Sequence, residues 1–132
     1  MCKYGKGSII NISSIYGIVS PDPSLYEGTE TFNPPTYSVA KSGILGLTRY
    51  TSSFYGKYGI RCNSISPGAF PNTEGKNKPN PVIMDRLISK IPLKRTGKPE
   101  DLKGAIVFLS SDESSYCSGM NLTVDGGFTS SK

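Results

Sequence analysis

A chain of 132 residues with 36% apolar and 19% charged residues is long enough for one domain with a modest core, and too apolar to be disordered or fibrous. Fifteen Lys and Arg against ten Asp and Glu give a net charge of +5. The basic residues (Lys3, Lys6, Lys41, Arg49, Lys57, Arg61) are scattered, which describes a solvated surface and speaks against a nucleic-acid module.

The amino-terminal stretch MCKYGKGSIINIS has only a short apolar run and does not read as a secretory signal. Gly7 to Ser13 places β-branched residues between a glycine and serines and predicts a strand. The stretch from Ser14 to Pro35 is crowded with Pro, Gly, Ser and Asp and predicts a long loop. From Thr36 the residues Ala40, Ile44, Leu47, Thr51, Phe54 and Tyr58 keep a helical period, with Pro34 and Pro35 before it and Gly56 and Gly59 near its end.

Ile60 to Ser66 predicts a second strand, stopped by Pro67 and Gly68. A polar loop, Asn72 to Pro81, leads to a short helix around Val82 to Ile91. A further helix opens on Pro99, Glu100 and Asp101, whose acidic groups suit a helix amino terminus. Asn121 to Gly127 predicts a third strand and a turn. Strand, helix, strand, helices, strand is the order of an α/β domain on a parallel sheet. Three strands make a thin sheet, and parallel strands need both faces covered, so the chain reads as part of a larger domain.

Cys2, Cys62 and Cys117 are odd in number, far apart and without a CxxC pair, so the sequence predicts reduced thiols in a cytoplasmic protein, with neither disulfides nor a metal site. Cys117 is expected to be a small buried hydrophobe, and Gly43 and Gly46 to allow close helix packing. No apolar segment approaches the ~20 residues a membrane helix needs.

The chain has no histidine, so proton transfer near neutral pH needs another carrier. Tyr37 and Lys41, in YSVAK, stand four residues apart and share one face of a helix. An unperturbed phenol titrates near ~10, and moving one to ~7 takes about 4 kcal/mol. One cation at ~4 Å in an effective dielectric of ~20 contributes about that much, so a Tyr and Lys pair has the right magnitude for acid/base work.

GSIINISS, YSVAK, IRCNSISPG and VDGG, in this order, resemble the carboxyl-terminal half of the short-chain dehydrogenase/reductase family from Gly7 to Phe128. The resemblance implies the second half of a doubly wound Rossmann-type parallel sheet in three α/β/α layers. Residues 1–132 would then be one partial domain lacking the amino-terminal cofactor-binding half. It implies an NAD- or NADP-dependent oxidoreductase interconverting an alcohol and a carbonyl. Ser14 would bind the carbonyl, Tyr37 would be the acid/base, and Lys41 its partner and a ligand of the cofactor ribose. Pro67, Gly68, Ala69 and Phe70 would lie against the nicotinamide, followed by Thr73, with Asn72 competing for that last place.

The family also implies a homodimer or homotetramer. The long Pro21 to Pro35 segment, with Glu27 and Glu30, suits a polyhydroxylated ligand, and its pattern is similar to members acting on sugars, the flagellin-modification oxidoreductases among them. Glu27 and Asn77 are the expected sites of substrate selectivity. The family's phosphate-binding glycine loop has no match, since Gly5-Lys6-Gly7 precedes a strand instead of following one. An inactive chain of the same fold, serving as a binding or scaffolding module, is the alternative.

Overall fold

The computed structural model describes residues 1–72 and 78–131. Ile9, Ile10 and Ile12 favour extended backbone, and β1 spans Gly7–Ile12. Pro35 opens α1 (Pro35–Tyr55) at the first helical position, where a missing amide hydrogen removes no helical bond. After Gly56, Gly59 turns the chain at φ +70 into β2 (Ile60–Pro67), and a Cβ there would strike the Gly5 carbonyl. Asn80 caps α2 (Pro81–Lys90) by accepting the Val82 amide at 2.9 Å.

α3 (Pro99–Ser110) begins with Asp101 accepting the Lys98 amide at 2.8 Å. The Arg95 guanidinium and then that amide hold the Asp101 carboxyl down to about 2. β3 (Asn121–Val124) gives way to the predicted turn, where Asp125 folds back to accept the Gly127 and Thr129 amides at 2.9 and 2.7 Å. The predicted long loop contains two tight 3-10 turns, Ile15–Gly17 and Pro23–Leu25.

The three strands among the described residues lie in the order β1, β2, β3, all parallel, with Gly7 opposite Ile60 and Pro67 opposite Val124. Successive side chains alternate between faces. Asn11 of β1 donates to Thr48 Oγ1 of α1 at 2.9 Å, whereas Ser8, of opposite parity, donates to the Leu109 carbonyl of α3 at 2.7 Å. The two helices therefore cover opposite faces, giving the α/β/α layering that the resemblance implies.

β2 is central and buried yet carries Asn63, Ser64 and Ser66. Each is satisfied: Ser64 and Ser66 both donate to Asn121 Oδ1, and Asn63 bridges the Cys117 carbonyl and the Met120 amide. Arg61 donates to Ser111 and Cys117 carbonyls and to Ser114 Oγ, so this cation is spent stapling the end of α3.

The helical period of α1 meets the sheet only in part: Ile44 and Thr51 are half-buried, while its larger members turn outward. Leu47 and Phe54 are 55% and 56% exposed, and Thr48 is the buried residue of the helix. The sheet draws in the polar face because Asn11 needs Thr48 and Ser13 needs the Lys41 carbonyl. Two expectations are corrected here. A Cβ at Gly43 or Gly46 would meet open space, so neither admits a packed neighbour among the described residues. Cys117 is only half-buried, and Cys62 is the fully buried thiol, with burial the main cause of its raised pKa.

Candidate active site

All three strands end on one side, and the segments that follow them converge there. β1 runs into Ser13 and Ser14, β2 into Gly68 and Ala69, and β3 into Asp125. In open parallel sheets this carboxyl edge is where ligands bind.

The structure separates the two serines of NISS. Ser13 is buried and donates to the Lys41 carbonyl at 2.8 Å, tying β1 to α1. Ser14, also buried, accepts the Tyr16 amide at 3.2 Å, which leaves its own proton to donate elsewhere. Ser14 lines a cavity of about 160 Å³ with Tyr16, Asn33, Tyr37, Gly68 and Ala69. Tyr37 is 40% exposed, and its hydroxyl makes no hydrogen bond among the described residues. The Lys41 ammonium sits 5.7 Å from the Tyr37 ring centroid and donates to the Ile12 carbonyl at 3.1 Å, held at the end of β1.

Two phenols thus face the cavity in different environments. Burial first, and then a hydrogen bond with Tyr26, push Tyr16 well above the ordinary range, so it stays neutral and engaged. Tyr37 has the open hydroxyl and the neighbouring cation.

Below the cavity, Ile15, Ile91 and Phe128 form a buried cluster against which Tyr16, Ala69 and Leu87 pack. Of the loop from Ser20 to Asn33, Asn33 lines this cavity, whereas Ser20, Pro21, Pro23 and Tyr26 line a neighbouring groove. Arg86 of α2 donates to the Leu25 and Glu27 carbonyls at 3.2 and 2.6 Å, and Lys90 pairs with Asp22 at 2.7 Å. Leu25 is buried beneath it.

Of the residues marked in the sequence, Ser14, Tyr37, Gly68 and Ala69 come together in this cavity, with Lys41 beside Tyr37. Pro67 ends β2. Phe70 turns its ring onto Gly97 and lines a separate cavity with Arg95 and Asp101. Thr73 and Asn77 lie outside the described residues. Glu27 and Glu30 are exposed and do not line the Ser14 cavity, so the acidic groups expected over the ligand are not its walls. The sequence reading missed Tyr16, Asn33 and Leu87. Asn33 has a signal in hindsight, an amide residue fixed directly before Pro34-Pro35.

Gly17 is where the loop meets the helix. A Cβ there would lie 2.8 Å from the Lys41 carbonyl carbon and oxygen and from Ser13 Oγ. Gly17→Ala should therefore push α1 from the Ser14 turn and break the Ser13 to Lys41 bond. We expect a loss of about 1–3 kcal/mol by thermal or urea unfolding, the usual cost of overpacking. An unchanged melt would mean that the contact yields freely.

The family profile described as enoyl-(acyl carrier protein) reductase matches residues 1–129. The chain belongs to the short-chain dehydrogenase/reductase family. Among its relatives, the (3R)-3-hydroxyacyl-CoA dehydrogenase of Canis lupus familiaris is 38% identical over 122 residues, covering 92% of this chain and 43% of that protein. The L-rhamnose-1-dehydrogenase of Scheffersomyces stipitis is 40% identical over 129 residues, covering 96% and 46%. A crystal structure of a short-chain dehydrogenase from Leptospira borgpetersenii with bound NAD+ superimposes with a TM-score of 0.82 at 40% identity, covering 97% of this chain and 47% of that one. The chain spans about half the length of the short-chain dehydrogenase/reductase proteins it matches. No helix among the described residues is long and apolar enough to cross a membrane.

Proposed function

We propose that this chain is the catalytic half of an NAD- or NADP-dependent oxidoreductase that interconverts an alcohol and a carbonyl, with Tyr37 as general acid/base. The observation that carries the reading is the shared cavity of Ser14 and Tyr37 at the carboxyl edge of the sheet, with both hydroxyl protons uncommitted and Lys41 alongside. The family membership and the NAD+ in the Leptospira protein support the cofactor class.

In the direction of reduction, the substrate carbonyl oxygen accepts hydrogen bonds from Ser14 Oγ and from the Tyr37 hydroxyl. Both strengthen as negative charge develops on that oxygen. Tyr37 then gives up its proton, so the product leaves as an alcohol rather than an alkoxide. The Lys41 ammonium favours the phenolate that remains, and the proton is later regained from water. In oxidation the same groups run in reverse.

A nicotinamide, when bound, supplies or takes up the hydride that no side chain can carry. The residues present fit one: Lys41, anchored on the Ile12 carbonyl, would reach ribose hydroxyls, and Gly68 and Ala69, which line the cavity with Ser14 and Tyr37, would adjoin the nicotinamide. Pro67 and Phe70 would contribute main chain, and Thr73 a side chain. Gly68 is pinned there, since a Cβ would come 2.7 Å from Asp125 Cα. The Asp125 carboxyl, pushed up by burial, is held lower by hydrogen bonds from Thr129 and Gly127, which fixes that turn.

We further propose that the chain works joined to an amino-terminal half supplying the phosphate-binding turn, as one cytoplasmic domain. The exposed stripe of α1, with Leu47, Tyr50 and Phe54, supports association as a homodimer or homotetramer. L-Rhamnose as the substrate of one relative supports a sugar or sugar derivative as substrate. The test is a panel of polyols, keto sugars and hydroxyacyl thioesters offered to the complete enzyme with NADH and NADPH, read by nicotinamide absorbance. Turnover of at least one carbonyl or alcohol is expected, and none on any compound overturns the proposal in favour of a binding module.

A further inference from the structure

Among the described residues, one buried side-chain polar atom has no hydrogen-bond partner: Asn33 Oδ1. Buried acceptors are nearly always satisfied, and an exception calls for a physical reason. Its position is informative. Asn33 lines the same cavity as Ser14 and Tyr37, and also a larger, more open apolar groove with Tyr26, Phe32 and Val39, so it stands in the wall between them.

The amide is also held in place. Asn33 precedes Pro34, which restricts its backbone to extended conformations, and Pro34 and Pro35 are fixed in turn as the start of α1. The rest of its loop is tied to α2 through Arg86 and Lys90. The phenols of Tyr16 and Tyr37, in the same cavity, do not serve it, since Asn33 Oδ1 has no partner among the described residues.

We infer that Asn33 is a substrate-orienting residue: its side-chain carbonyl accepts a hydrogen bond from a second hydroxyl of the substrate, one that does not react. This inference rests on the proposed alcohol and carbonyl chemistry and narrows its substrates to vicinal diols, polyols and hydroxy ketones. The non-reacting hydroxyl donates to Asn33 while the reacting oxygen takes the protons of Ser14 and Tyr37. Two anchors on one small molecule fix which of its carbons faces the hydride. A site built to bond a hydroxyl discriminates strongly against the analogue lacking it, because the protein group is then left buried and unpaired.

The test compares a hydroxylated substrate with its deoxy analogue on the complete enzyme. The unmodified protein should prefer the hydroxylated compound by about tenfold or more in kcat/KM. Calorimetric affinity for the corresponding non-reacting compounds should show the same preference. Asn33→Leu, of similar volume, should bring that preference to within about threefold of unity in both readouts. Equal use of the two compounds by the unmodified enzyme overturns the inference without need of the variant. So does a preference that survives Asn33→Leu, or a parallel loss on both compounds. Absence of nicotinamide-dependent turnover on every compound overturns instead the proposed function, and this inference with it.

Discussion

Tyr37→Phe in the complete enzyme is expected to lower turnover by about 10²–10⁴, the range over which a positioned general acid acts. The substitution removes one oxygen and leaves the ring, whose hydroxyl makes no hydrogen bond among the described residues. Folding and cofactor affinity should therefore be nearly unchanged, and the loss should appear in kcat. Tyr16→Phe is the matched control. It also removes one phenol oxygen from the cavity, but a phenol kept neutral by burial and engaged with Tyr26. Its effect should be on stability, with turnover reduced less than tenfold. Retention of more than a few per cent of turnover by Tyr37→Phe, or equal losses in the two variants, would contradict the assignment.

The largest expected effect on stability is at Phe128. This ring is 1% exposed, in a cluster with Ile15 and Ile91, directly under the turn that carries Ser14 and Tyr16. Phe128→Ala should cost about 3–5 kcal/mol, from lost burial and the cavity left behind. Because Ile15 follows Ser14 directly, activity should fall further than the unfolded fraction accounts for. Tyr116→Ala, at a fully exposed side chain, should change the melt by no more than about 0.5 kcal/mol. A Phe128 variant melting like the Tyr116 variant would show that the terminal segment does not support the site.

Much of the fold was legible because its punctuation is local. Pro35 and Gly56 bound α1, Asn80 caps α2, and β-branched runs between Gly, Ser and Pro mark the strands. Tyr37 and Lys41 were legible because i and i+4 on a helix must share a face. Three features were not, and each depends on contacts between segments distant in sequence. Ser13 and Ser14 look alike by residue chemistry, so that only the resemblance singled out Ser14, and the physical difference arises when α1 takes Ser13 through the Lys41 carbonyl. The apolar period of α1 identifies a helix but not which way it faces, which polar bonds from Asn11 and Ser13 decide. Glu27 and Glu30 read as ligand groups by chemistry alone, whereas the clamp from Arg86 turns the loop so that Asn33 reaches the cavity.

The central claim is that this site moves a hydride to or from carbon, with Tyr37 handling the proton. It is tested most directly by label transfer from NADH or NADPH deuterated at the transferring position, using the complete enzyme and a hydroxy ketone. The account predicts one deuterium on the carbinol carbon of the product, found by mass spectrometry and NMR, and almost none with Tyr37→Phe. Product formed without the label, or label transferred equally well by the Tyr37 variant, would contradict it.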